Sequence, residues 1–142
     1  MTDLDSVRLT LPEDTNVLDA TSGEDRRWLT GSGVYVTVSM NTDDDAAERG
    51  VQMVVAGMLG GYQYRRAAQV TGLAPVDVPG ALGAYCGTAT IESPSGEPLG
   101  LLIVGAQSAD HSIVALQVVW PAAAADALGE EIGSIVSSFE LI

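Results

Sequence analysis

Hydrophobic and polar residues alternate most cleanly over residues 34–41, VYVTVSMN. Val34, Val36, Val38 and Met40 fall on one side, and Tyr35, Thr37, Ser39 and Asn41 on the other. A period of two predicts a strand with one covered face. VRLTLP (7–12) alternates in the same way up to a terminating proline. EDTNVLDAT adds turn residues around a short apolar piece, and DRRWLTG (25–31) reads as another strand, turned into the next by GSG. The chain therefore opens as a meander of antiparallel strands.

The period then changes. Ala47, Val51, Val54, Val55 and Met58 recur at the spacing of one helical face. Gly50 and Gly57 weaken that helix, and Gly60-Gly61 predicts its end. YQYRRAAQVTG could extend the helix or begin a strand, and the extended reading is preferred from about Tyr64. LAPVDVPGALGAYCGTATI (73–91) is extended, with Pro75 and Pro79 as punctuation, and ESPSGEPLG (92–100) has the composition of a hairpin turn. LLIVGAQS (101–108) and HSIVALQVVW (111–120) are apolar at nearly every position, which predicts central strands covered on both faces. Pro121 opens a second helix whose stripe is Leu128, Ile132, Ile135, Val136 and Phe139. The expected fold is a single α+β domain over residues 1–142. Its antiparallel sheet of about six or seven strands is flanked by two main helices, at about 44–60 and 122–139.

Charge narrows the functions. The net charge is −13, and all six basic residues are arginine. Such a chain is repelled by nucleic-acid phosphates and by anionic membrane surfaces, so neither is an expected partner. The plain reading of the charge is solubility; the sharper one is attraction of a basic partner. No apolar run is long enough to span a bilayer, and the first residues, MTDLDSVRLTLPEDT, carry acids where a signal peptide needs a basic start. The expectation is a cytoplasmic protein, or an exported one whose leader has been removed. Cys86 is the one cysteine, set in an apolar run, and reads as a buried, inert thiol.

Residues 41–50, NTDDDAAERG, pose the main chemical question. Thr42 and Asp45, then Asp45 and Glu48, have the spacing of a capping box at a helix start, where carboxylates also face the positive end of the dipole. A calcium loop beginning at Asn41 would put Ala46 where glycine is required and Gln52 where glutamate is required. A cation held here at all would use Asp43, Asp45 and Glu48. Adjacent aspartates share one environment, so they lack the split acidities of an acid–base pair. His111, the sole histidine, lies between Asp110 and Ser112, but sequence neighbours in a strand point to opposite faces and do not make a triad. No lysine, nucleotide loop or GxSxG motif is present. No cofactor is expected, and the reading favours a non-enzyme. Arg65-Arg66 is the densest basic spot, either local charge balance or a carboxylate contact with a partner.

Three stretches carry a resemblance: LTLPEDTNVLDAT, VTGLAPVDVPGALGAYC, and HSIVALQVVWP with IGSIVSSFEL. Together the chain resembles the PsbP-like fold. That is the fold of an extrinsic photosystem II protein, a Ran-binding nuclear import factor, actinobacterial LpqN-type proteins and small chaperones of type VI secretion effectors. The resemblance implies an α/β/α sandwich and a role in protein binding, and it transfers no binding residues. The first expectation is thus a non-catalytic protein-interaction module, of the kind a secretion- or envelope-linked adaptor or chaperone would be. A carrier of a small apolar ligand is the alternative, with room left around Gly83, Ala84, Gly87 and Ala89; close helix-on-sheet packing is the other reading of those residues. A carboxylate-based enzyme is the third. An exposed sheet edge would make a homodimer natural.

Overall fold

A computed structural model describes residues 7–18, 25–41, 44–66, 69–109 and 112–141, with side chains at all of these except 25, 40, 41, 44–49 and 63–66. The strands are β1 (Val7–Arg8), β2 (Asn16–Leu18), β3 (Asp25–Leu29), β4 (Tyr35–Asn41), β5 (Gln69–Pro75), β6 (Gly83–Glu92), β7 (Pro98–Gln107), β8 (Ile113–Pro121) and β9 (Glu140–Leu141). The helices are α1 (Asp44–Arg66) and α2 (Ala125–Ser137), the latter entered through a short 3-10 turn at Ala122–Ala124. Seven strands form one sheet in the order β2-β3-β4-β8-β7-β6-β5, antiparallel throughout, and β1 pairs with β9.

This order follows from the chain's two meanders. β2, β3 and β4 are joined locally. α1 then carries the chain across the sheet to its far edge, from which β5 to β8 return until β8 pairs with β4. The near-continuous apolar strands β7 and β8 accordingly sit inside the sheet. Leu101 and Ile103 of β7 face α1, with Val51, Val54, Val55 and Leu59. Val104 and Ala106, with Val114, Leu116 and Val118 of β8, face Leu128, Ile132, Ile135 and Phe139 on the α2 side. Val34, just before β4, and Val36 and Val38 on the buried face of β4 join this second cluster. One helix on each face of the sheet makes the α/β/α sandwich.

Several elements depart from their predicted bounds; among them, the stretch 73–91 is broken by a loop over 76–82, and β7 opens at Pro98 inside the predicted turn. α1 passes through Gly60-Gly61 to Arg66, and the following strand opens at Gln69, not Tyr64. The two glycines cost helix stability, but Leu59 is buried and Tyr62 is anchored to the sheet on either side of them, so tertiary contacts override propensity. The first strand shrinks from 7–12 to Val7–Arg8, because β9 offers only two residues to pair with; Leu9 and Leu11 instead pack on the α2 cluster. The last helix stops at Ser137. The Ser138 hydroxyl donates to the Ile135 carbonyl at 2.7 Å and accepts from the Thr10 N–H at 2.8 Å, which ends the helix and ties it to the first strand. Finally, Gly50 interrupts α1 with φ 81° and ψ 165°.

Candidate functional site

The places proposed from sequence scatter. Asp43 and His111 lie outside the described residues. Asp45 and Glu48 lie in the first turns of α1, ahead of the break at Gly50. Among the described residues, no three His, Cys, Asp or Glu groups are close enough to hold a metal ion. Arg65 and Arg66 are the last two residues of α1, three positions before β5 begins. Cys86 is half-buried on the α2 side of β6, and burial pushes its thiol pKa up, so it is a weak nucleophile.

Three of the four small residues of β6 do not line a ligand space, while Gly83 has no atom within 4 Å of where its Cβ would sit. A Cβ at Gly87 would lie 2.6 Å from Leu59 Cδ1 and 3.2 Å from Val55 Cγ1, so α1 already occupies that volume. Gly105 on β7 is filled in the same way, with Val55 Cγ2 at 2.5 Å and Val51 Cγ2 at 3.0 Å. Ala89 belongs to the same α1 cluster, whereas Ala84 is buried against α2 on the opposite face. These residues serve close approach of helix and sheet.

Two surfaces remain that can do something. The first is the β5 edge. The registers Val70↔Ala89 and Leu73↔Gly87 put both side chains on the face that carries α1, and they are 40% and 39% exposed. Val76 and Leu82, in the loop after β5, are also exposed, Leu82 to 61%. From Gln69 to Val76 the chain has no charged residue, although it carries 19 acids overall. The edge is only partly open to an added strand. β5 is irregular between Val70 and Gly72, and the Val76 N–H points inward to the Ala84 carbonyl at 3.1 Å. By alternation, Pro75, which has no N–H, lies on the outer side.

The second surface is a cleft of about 340 Å³ beside the C-terminal part of α1. Ile91, Leu99 and Val119 line it from the sheet, Tyr35 from β4 and Tyr62 from α1. Register explains the grouping, since Tyr35 pairs with Val119 and Ile91 with Leu99. The Tyr62 hydroxyl donates to Gln117 Oε1 at 2.6 Å, which fixes the phenol against the sheet. The indole of Trp120 is not in the cleft; it lies over Gly100 on the opposite face of the sheet and packs with the α2 cluster. Sequence reasoning missed this cleft, because its residues come from five separate elements.

No protein-family model matches the chain, and no curated protein matches it by sequence. Solved structures do match. A cyanobacterial PsbP (CyanoP) from Synechocystis aligns over 100% of this chain and 91% of its own, with a TM-score of 0.72 and 12% identity. The Ran-binding protein Mog1p of Saccharomyces cerevisiae aligns over 99% of this chain and 93% of its own, with a TM-score of 0.65 and 10% identity. LpqN of Mycobacterium tuberculosis, involved in cell envelope biogenesis, aligns over 95% and 82%, with a TM-score of 0.55 and 13% identity. The chain therefore has the PsbP-like fold expected from its sequence, and identity this low carries the fold alone.

Proposed function

We propose that the chain is a non-catalytic polypeptide-binding module of the adaptor or chaperone kind. The observation that carries this reading is the group of exposed apolar side chains on the β5 side of an acidic molecule, Val70 and Leu73 on the α1 face of β5 and Val76 and Leu82 in the loop after it, with no charge from 69 to 76. Contiguous exposed apolar side chains on a soluble domain mark contact sites. With Pro75 on the outer side of the strand, recognition runs through these side chains more than through a full added strand. Arg65 and Arg66, which close α1 just before β5, are the arginines offered in this reading to carboxylates of a partner. The fold neighbours support the reading, since Mog1p is described as Ran-binding. Among the described residues no helix is long and apolar enough to cross a membrane. The module works in an aqueous compartment, on either side of a membrane.

The test is affinity capture from a native extract with three baits: the wild-type chain, Leu73→Asp, and Val17→Asp as a control. Val17 is 80% exposed on β2, at the opposite edge of the sheet. A stoichiometric protein held by wild type and Val17→Asp, and lost with Leu73→Asp, is the expected result. Equal retention by both variants would move the contact off β5. Capture of nothing would remove the interaction reading.

A further inference from the structure

A third cleft lies on the α2 side of the sheet, between the segment that follows β1 and the C-terminal half of α2. Its volume is about 300 Å³. Thr10, Leu11 and Pro12 form one wall. Glu131, Ser134 and Ile135 form the other, at the i, i+3, i+4 spacing that puts them on one face of the helix. The cleft takes no residue from α1 or β5, so it stands apart from the contact proposed above.

Its two halves differ. Leu11, Pro12 and Ile135 are apolar, and Leu11 and Ile135 belong to the α2 cluster. Thr10, Glu131 and Ser134 are polar. Glu131 is half-buried, and its carboxylate is held in place: Oε1 accepts from the Ser32 hydroxyl at 3.1 Å and Oε2 from the Thr30 hydroxyl at 3.5 Å. Both donors are neutral, and among the described residues no arginine forms an ion pair with Glu131. A carboxylate that has lost part of its hydration and gained no counter-charge favours a cation beside it. The chain is poor in cations of its own, with six arginines, no lysine and a net charge of −13, and a charge of that size attracts basic partners.

The geometry also selects the kind of cation. A guanidinium fork is matched by two free oxygens of one carboxylate, but both Glu131 oxygens already accept hydroxyl protons. An ammonium has three donors and no acceptor, and needs only separate acceptors around it. The Glu131 carboxylate and the hydroxyl-bearing Thr10 and Ser134 are such acceptors. Leu11, Pro12 and Ile135 suit a methylene stem, which gains by lying along apolar surface while its charged end stays in polar surroundings. The cleft is open on one side, which leaves space for the main chain that bears the stem.

From this geometry we infer that the cleft takes a lysine side chain of a basic polypeptide, its ammonium against Glu131 and its stem along Leu11, Pro12 and Ile135.

Amide chemical shifts of the whole chain test this during titration with acetylated, amidated tripeptides Ala-X-Ala, where X is lysine, norleucine or arginine, and with n-butylamine. The lysine peptide is expected to give saturable shifts confined to Leu11, Glu131, Ser134, Ile135 and their neighbours. Norleucine keeps the stem without the charge, and arginine keeps the charge on a forked head; each is expected to bind at least tenfold more weakly. Glu131→Gln should weaken the lysine peptide at least tenfold. Glu130→Gln changes the net charge equally at the exposed neighbouring position and should weaken it less than twofold. Should Glu131→Gln fail to fold, the location of the shifts and the norleucine comparison in the wild-type chain decide. Absence of saturation with the lysine peptide, shifts scattered elsewhere, norleucine or arginine binding as tightly as lysine, or equal losses in the two variants would each overturn the inference. Binding of n-butylamine with exclusion of the lysine peptide would overturn the assignment to a polypeptide.

Discussion

The Tyr62 phenol donates a 2.6 Å hydrogen bond to Gln117 Oε1, joining α1 to the central strand β8 across 55 residues of sequence. It falls just beyond Gly60-Gly61, where helix propensity is lowest, and supports continuation of α1 to Arg66. Tyr62→Phe keeps the ring and removes the donor, leaving a part-buried amide oxygen unsatisfied. The expected cost is about 1 kcal/mol, read as a lower midpoint in urea unfolding followed by circular dichroism. An unchanged midpoint would show that the bond is exchanged for water without loss.

Contact between α1 and the sheet depends on two missing side chains, and the two are not equivalent. At Gly105 a new methyl meets the branched ends of Val51 and Val55, which have little rotamer freedom. At Gly87 the nearest atom is the end of Leu59, which can swing aside. Gly105→Ala is expected to destabilise by about 1–3 kcal/mol, as overpacked cores do, and Gly87→Ala by less. Urea midpoints of the two variants provide the comparison, and the reverse ranking would contradict the packing described.

Much of the fold was legible because its strands and helices carry clean periods. Val34, Val36 and Val38 sit on one buried face as their alternation requires, and Leu128, Ile132, Ile135 and Phe139 lie buried along the α2 side. The limits of α1 were not legible, since Leu59 and Tyr62 act through residues of β6 and β8 that no local window contains. Both candidate surfaces depend on topology in the same way. Val70 and Leu73 matter because β5 is an edge, a fact fixed by where β6 to β8 return. Tyr35 and Val119 meet only through the β4–β8 register. Conversely, the candidate residues that the structure does describe stand at opposite ends of one helix. Asp45 and Glu48 open a helix, and Arg65 and Arg66 close the same one.

Cys86 offers a pH-dependent readout. Burial raises its thiol pKa in the folded chain above the unfolded value. The folded state therefore holds the proton more tightly. The stability linked to this group is fully present below the ordinary thiol pKa and is lost as pH rises through the raised, folded value. Two outcomes are expected. Iodoacetamide should modify the native chain more slowly than the urea-unfolded chain at the same mildly alkaline pH. Cys86→Ser should flatten the alkaline part of the stability profile. Equal alkylation rates in the two states would show that the thiol is not shielded.

Gly50 and Gly57 occupy the same helix, and propensity alone treats them alike, each gaining up to about 1 kcal/mol on replacement by alanine. Their backbones differ. Gly57 lies in the helix with no atom within 4 Å of where its Cβ would sit. Gly50 has equally open space but holds φ 81° and ψ 165°, a conformation open essentially to glycine alone. Gly57→Ala is therefore expected to stabilise by about 0.5–1 kcal/mol. Gly50→Ala is expected to destabilise by about 1–3 kcal/mol, or to force the break in α1 to straighten and shift the segment that carries Asp45 and Glu48. Thermal unfolding of the two variants side by side separates backbone strain from propensity. Opposite signs are the expected outcome. A gain in stability at both positions would mean that α1 runs unbroken through Gly50 in solution.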